Sequence, residues 1–340
     1  MTQPRFGFSD PRMALAALFL SVGLGLGLLF IGIYLLESYG IFLFLALPFV
    51  MGLTSSLFYS SRAKLTPGRF EQVKLGLLSL FVLSLGILAF ALEGVICLLM
   101  AAPLGIVANL LGVAMGMSKG LRLHNKGKGN SMPLSVLMLA VLPSSLGLDL
   151  VQESEFKKPA APLRAVTTSV EIQAPPSVVW ESVIRFPKLP APTEPLFQLG
   201  IAYPTHAEII GEGVGALRTC HFSTGAFTEP ITVWNRPHEL AFDVVAQPNP
   251  MTELTLWKIH PPHLEGYFVS KRGKFELTAL PGGKTRLTGT TWYSQRIYPE
   301  FYWSLWTDGI IHSIHERVLG HIQTQAEKAF QPQGELQANG

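Results

Sequence analysis

Apolar positions cluster into runs along the first 150 residues and alternate with polar ones along most of the remainder. Five predominantly apolar runs, Met13–Leu36, Ile41–Tyr59, Leu75–Leu92, Val95–Met117 and Met132–Leu148, are separated by short polar turns. Each is close to the ~20 residues a helix needs to cross the hydrocarbon of a bilayer, so the pattern predicts an all-α transmembrane region over residues 1–150. The stretch VQESEFKKPAAPLR at 151–164 reads as an extended linker, from its charges and its Pro/Ala character.

From residue 165 the period changes to two. Val166–Gln173 alternates as a strand, and Ala174-Pro175-Pro176 opens a helical stretch through Ile184 with Val178, Val179 and Val183 on one side. Strand patterns recur at Ala207–Gly211, Gly215–Ser223, Ala226–Asn235, Leu240–Ala246, Met251–His260, His263–Ala279 and Thr285–Gln295. Turn signals separate them, among them Gly211-Glu212-Gly213, Ser223-Thr224-Gly225 and Pro281-Gly282-Gly283. A last helix is expected over about Pro299–Phe330, with Trp303, Trp306, Ile310, Ile314, Val318 and Ile322 on one face. Residues 331–340 read as a disordered tail.

Charge sharpens this division. Residues 1–163 hold 12 Lys and Arg against 7 Asp and Glu, while residues 164–340 hold 14 against 16. The sequence pI of 8.8 therefore comes from the turns between apolar runs, not from a basic surface that would bind nucleic acid. Those basic residues alternate in position. Arg5 and Arg12 precede the first run, Arg62, Lys64, Arg69 and Lys74 follow the second, and Lys119, Arg122, Lys126 and Lys128 follow the fourth. The other two turns carry Glu37 and Glu93 and no cation. Retention of basic residues on the cytoplasmic side predicts an internal N-terminus, five spans in a bacterial-type inner membrane, and a C-terminal half on the outer, periplasmic face; if the short fifth run, with Pro133 and Pro143, lies only in the interface, that half is cytoplasmic instead. The first run is too long for the apolar core of a cleaved signal peptide. Asn109 is expected to make an interhelical hydrogen bond and Glu93 to lie in a solvated turn, so the region reads as an anchor and not an ion-coupled pump. Cys97 and Cys220 fall in unlike segments and predict no disulfide.

The order of strand, helix, connecting segment, antiparallel strands and long closing helix resembles the helix-grip fold of the START-like or SRPBCC superfamily, which includes polyketide cyclases and lipid-transfer domains. The resemblance is carried by SVEIQAPPSVVWESV at 169–183, GEGVGALRTCHFSTGAFTEPITVWNRPHELAFDV at 211–244, FELTALPGGKTRLTGTTWY at 275–293 and the closing helix. It covers residues 165–330 and implies an α+β domain in which a curved sheet wraps the helix around an apolar cavity. Such a domain is expected to bind a hydrophobic small molecule, a lipid, quinone or isoprenoid, with membrane lipids as neighbours. Trp234, Trp257, Phe268, Trp292, Trp303 and Trp306 are the candidate pocket residues. The superfamily has no universal catalytic residue to carry over.

Polar groups that could serve a cyclase or dehydratase instead are His260, His263, Asp308 and His315. The prolines between His260 and His263 match no metal-ligand spacing, and His312 and Glu316 are expected to point away from the core, so neither a metal nor a cofactor is predicted. There is no Walker loop, no Gly-x-Ser-x-Gly elbow, no His-Glu-x-x-His and no CxxC pair. Turnover therefore stands second to ligand binding, and an interaction module with a filled core stands third.

Overall fold

The structure is a computed structural model that describes residues 7–37, 39–125, 134–156, 163–254 and 266–330. The chain divides into two compact units, one built on residues 1–161 and the other on most of residues 162–340.

The first unit is helical. Helix α1 (Pro11–Phe30) begins at Asp10, whose carboxylate accepts from the Met13 amide at 3.3 Å, and Pro11 supplies a first residue that lacks the amide a helix start leaves unpaired. It continues as a π-helical turn, Ile31–Leu35. A second π-helical turn, Phe42–Ala46, leads into α2 (Leu47–Arg62), followed by α3 (Arg69–Ala89), α4 (Val95–Asn125) and α5 (Leu134–Phe156). Four of these helical segments are long and apolar enough to cross a membrane: Pro11–Leu35, Phe42–Arg62, Arg69–Ala89 and Val95–Ser118. α5 runs on through Phe156, so the first part of the expected linker is helical.

This unit is apolar outside and sets polar side chains into an otherwise apolar interior. Phe19, Phe81, Leu99 and Leu111 face outward, while Ser21, Ser56, Gln72, Ser79 and Asn109 are buried. Gln72 accepts from the hydroxyls of Ser56 at 2.5 Å and Ser60 at 2.7 Å, and its amide nitrogen donates to the Pro67 carbonyl at 3.2 Å. Asn109 donates to the Pro48 carbonyl at 3.1 Å, the interhelical bond expected of it. Glu93 departs from expectation: it is buried, not solvated, and accepts from the Tyr39 hydroxyl at 2.7 Å. Asp149 of α5 is a second buried acid, one that the apolar pattern hides. Its two oxygens accept from the amides of Ile41 at 2.6 Å and Phe42 at 3.1 Å, capping the segment that becomes α2. α2 and α4 meet backbone to backbone. A methyl group added at Gly52 would collide with the Asn109 carbonyl, and one at Gly112 with the Phe49 carbonyl.

The second unit is a seven-stranded antiparallel sheet gripping a long helix. The strands are β1 (Arg164–Ile172), β2 (Pro204–Ile210), β3 (Leu217–Phe222), β4 (Gly225–Asn235), β5 (Glu239–Asp243), β6 (Phe268–Leu280) and β7 (Lys284–Gln295), in spatial order β1-β7-β6-β5-β4-β3-β2. Between β1 and β2 lie α6 (Pro176–Ile184) and the single turn α7 (Pro195–Gln198); α8 (Glu300–Phe330) closes the unit. Hairpins follow the turn chemistry: Gly211, Gly213 and Gly215 take positive φ between β2 and β3, and Gly282 and Gly283 do so between β6 and β7. The strand expected at Met251–His260 is not formed in its described part, where Met251 makes one isolated bridge to Ile201; residues 255–260 lie outside the described residues. Val179, Trp180 and Val183 of α6 pack with Ile172, Leu240, Leu287 and Ile322 into the core, and the fully buried Trp180 meets Trp234 edge-on at 5.7 Å. This is the α+β helix-grip architecture.

Candidate functional site: a cavity between the sheet and the closing helix

Alternation decides which side chains enter the space under α8. On β3, Arg218, Cys220 and Phe222 point inward while Thr219 and His221 point away; on β4, Phe227 and Glu229 point inward. On β6 strict alternation would keep the even-numbered residues inward, but a bulge between Ser270 and Arg272 shifts the phase by one, so Phe268 and Ser270 before it and Gly273 and Phe275 after it reach the same space. Gly273 sits opposite Phe242 on β5, whose ring lies against the glycine backbone where a Cβ would clash. From α8, Ile311, Val318 and Leu319 close the other side. The cavity, open on one side, has a volume of about 120 Å³.

Five phenylalanines line the walls, with Phe222 and Phe227 at 4.7 Å and Phe242 and Phe275 at 6.2 Å between ring centres. Set into them is an ion pair. Arg218 and Glu229 face each other across β3 and β4, are 2% and 5% exposed, and are directly hydrogen bonded. The Arg218 guanidinium also lies 5.1 Å from the Phe242 ring centre and 5.7 Å from that of Phe275. Burial works against its charge, but Glu229 beside it prevails and holds the guanidinium above its usual range. The same burial pushes the Glu229 carboxyl upward against the pull of the arginine. The Cys220 thiol is pushed up to about 12 by burial and by Glu229, so it is a neutral packing group and not a nucleophile. The Cys220 side chain is a further hydrogen-bond neighbour of Arg218, whose Nε–H, like several other buried polar atoms, has no oxygen or nitrogen acceptor among the described residues.

At another part of the wall, a chain of hydrogen bonds leads from the cavity to the surface. Thr291 Oγ1 lies 2.8 Å from His315 Nε2, His315 Nδ1 lies 3.0 Å from Thr168 Oγ1, and Thr168 Oγ1 lies 2.7 Å from Nδ1 of the exposed His312. Thr291 and His315 border the cavity. Burial, and then the neighbouring His312, lowers His315 from 6.5 to about 4, so the imidazole is neutral at physiological pH.

The structure disperses the candidates read from the sequence. Phe268 and His315 border the cavity. Trp234 packs on Trp180, Trp292 lies under the Arg272 guanidinium at 4.6 Å, and Trp303 is buried edge-on to Tyr302 at 5.3 Å. These three and the half-buried Trp306 are not on this wall. Asp308 also stands apart, bonded to the Tyr293 hydroxyl at 2.6 Å and to Arg164 at 3.0 Å. Burial, reinforced by Asp308, raises the Tyr293 phenol. Trp257, His260 and His263 lie outside the described residues. Sequence reasoning missed Arg218 and Glu229. Their signal was a lone cation and a lone acid at inward positions of otherwise apolar strands, LRTCHF and GAFTEPITVWN.

A curved antiparallel sheet around one long helix, with a cavity between them, is the helix-grip fold. Residues 164–301 match the family model described as "Polyketide cyclase / dehydrase and lipid transport". Among solved structures the chain is similar to the Zhui aromatase/cyclase from Streptomyces sp. R1128, at 16% identity over 51% of this chain and 99% of that one, with a TM-score of 0.32. Similar too are a truncated norcoclaurine synthase from Thalictrum flavum (14% identity, 50% and 95% coverage, TM-score 0.31) and protein MLL2253 from Mesorhizobium loti (14%, 48% and 98%, 0.31). No curated protein matches the chain.

Proposed function

We propose that the chain is a membrane-anchored receptor for a hydrophobic small molecule that carries an oxygen acceptor, such as a quinone, an isoprenoid alcohol or a lipid. The observation that carries this reading is the aromatic cavity with the unpaired Arg218 Nε–H in its wall. A buried donor without an acceptor costs ~1–3 kcal/mol, and a ligand carbonyl or hydroxyl would recover it. The exposed apolar surface of the helical unit supports a lipid setting, where a receptor for an apolar molecule sits beside the phase that dissolves it. α5, at 23 residues, is roughly 34 Å long and long enough to serve as a fifth span, which with the alternating basic turns supports a C-terminal domain outside the cytoplasm.

The test of binding is extraction and mass spectrometry of small molecules that co-purify with the full-length protein. Val244→Phe, which adds a ring at the cavity wall, should yield folded protein that has lost the molecule; equal yields from both would remove the receptor reading. Topology is tested by fusing alkaline phosphatase or a cytoplasmic fluorescent protein to the C-terminus. Phosphatase activity is expected, and a fluorescent, phosphatase-silent chain would place the domain inside.

Acid–base turnover is the second reading, favoured by the bonded chain from Thr291 through His315 and Thr168 to His312. A hydroxyl and a neutral imidazole at the cavity edge, connected to an exposed imidazole, are groups that can exchange a proton with solvent. Conversion of the extracted molecule by wild type, abolished in His315→Ala with the fold intact, would move the assignment to an enzyme.

A further inference from the structure

The face of the sheet opposite the cavity carries a cluster that neither reading uses. On edge strand β2, His206 and Glu208 are two residues apart and project to the same side; His206 pairs in register with His221 of β3. The two imidazoles stack with centres 4.1 Å apart and planes 3° from parallel, and one donor atom from each of His206, Glu208 and His221 falls within 4.8 Å of the others. His206 and His221 are half-buried and Glu208 is exposed, so the cluster is open to ions from solvent.

The hydrogen bonds around His206 determine which nitrogen is free. The Thr205 hydroxyl donates its proton to the His221 carbonyl at 3.1 Å, so toward His206 Nδ1, also at 3.1 Å, it can only accept. Nδ1 therefore carries hydrogen, and in the neutral ring Nε2 presents a lone pair. That lone pair lies 3.5 Å from the Glu208 carboxylate. Two electron-rich atoms at this distance repel unless a cation lies between them. A proton on Nε2 would satisfy these two groups alone, whereas the approach of a third donor, His221, is what a metal ion requires. The Thr205 contact is also the kind of outer bond that orients a metal-binding histidine.

We infer that His206, Glu208 and His221 form a binding site for a zinc-class divalent transition ion, with a fourth position left to water or an exogenous ligand. Two imidazoles and one carboxylate match the donor preference of such ions, and three protein ligands leave the coordination sphere open. Metal–ligand bonds of about 2.0–2.2 Å set tetrahedral donors about 3.4 Å apart. The observed spacing closes to this by rotation of the exposed Glu208 side chain and a splaying of the stacked rings.

Zinc binding to the full-length protein in detergent, purified without a polyhistidine tag and stripped with chelator, tests the site. One zinc per chain at micromolar concentration is expected, and His206→Ala and His221→Ala should each weaken it at least tenfold. Glu208→Gln should weaken it several-fold. Cobalt substitution should give the intense visible absorption of a tetrahedral site, absent from both histidine variants. All three side chains lie on the outer face, so the variants should keep the wild-type melting profile. Absence of stoichiometric zinc in the wild type, or zinc retained undiminished in the folded double histidine variant, would overturn the assignment. So would loss of the zinc in His260→Ala/His263→Ala with His206 and His221 intact.

Discussion

The two units solve opposite packing problems. In the helical unit, side chains are reduced until backbones touch, with Gly52 and Gly112 facing carbonyl oxygens across the α2–α4 seam. In the sheet unit, phenylalanines pack in pairs yet leave a space of about 120 Å³ beneath α8. An interior without spare volume transmits position. An interior with spare volume can receive something.

The largest test of this contrast lies in the cavity wall. Glu229→Leu leaves Arg218 charged, buried and unpaired, and should destabilise the sheet unit by ~3–5 kcal/mol. Arg218→Met added to Glu229→Leu should recover most of that loss, because both charges are then gone. Denaturant titration of the two variants checks this, and a double variant no more stable than the single would mean that the pair shapes the sheet itself.

Next in size is the helical seam. Gly112→Val must force α4 from α2 and should cost ~1–3 kcal/mol or more, read as a lower melting temperature of the detergent-solubilised chain. Val244→Phe, a larger addition on the cavity side, should shift melting much less. If the two shifts are equal, the cavity is closed in solution and the comparison fails.

Acid provides a smaller effect with a definite sign. His315 titrates near 6.5 when unfolded and at about 4 when folded, so between these values the unfolded state binds more protons. Stability should then fall as pH drops from about 6.5 to about 4, by at most ~1.4 kcal/mol per pH unit. Melting curves of wild type and His315→Asn across that window should converge in slope only if His315 is not the group responsible.

The smallest effect belongs to Arg286→Ala. Arg286 pairs with Glu171 across β1 and β7 at 2.9 Å, but the side chains are 51% and 54% exposed. Its loss should change stability by less than ~1 kcal/mol, fading with added salt. A cross-strand Arg–Glu pair thus gains or loses its importance by the face of the sheet it occupies.

The elements were legible because each is written in a local period. Runs near 20 residues mark the helices, alternation marks β3, β4, β6 and β7, and glycines mark the hairpins. The described elements start or end within a few residues of where these patterns place them, with Met251–Leu254 the exception. The site was far less legible, because it depends on register. Arg218 meets Glu229, and His206 meets His221, only once β2, β3 and β4 are paired, and a one-residue slip would send each to the other face. The tryptophans drew attention by size, yet Trp234 and Trp303 are packed into other parts of the structure. The β6 bulge, which decides where Phe268 and Phe275 both point, has no signature in the residue pattern.

Asp149 carries a consequence for how the protein is made. It caps the start of the α2 segment from a position 107 residues further along the chain than Phe42. During synthesis, the amides of Ile41 and Phe42 emerge long before their carboxylate does, and α1 through α4 are complete while that helix end still awaits its cap. The helical unit therefore cannot reach its final form until α5 has been translated, which makes the last helix the latch of the assembly. Chains released before residue 149 should carry all four earlier helices and still be recognised by quality-control proteases as unfinished.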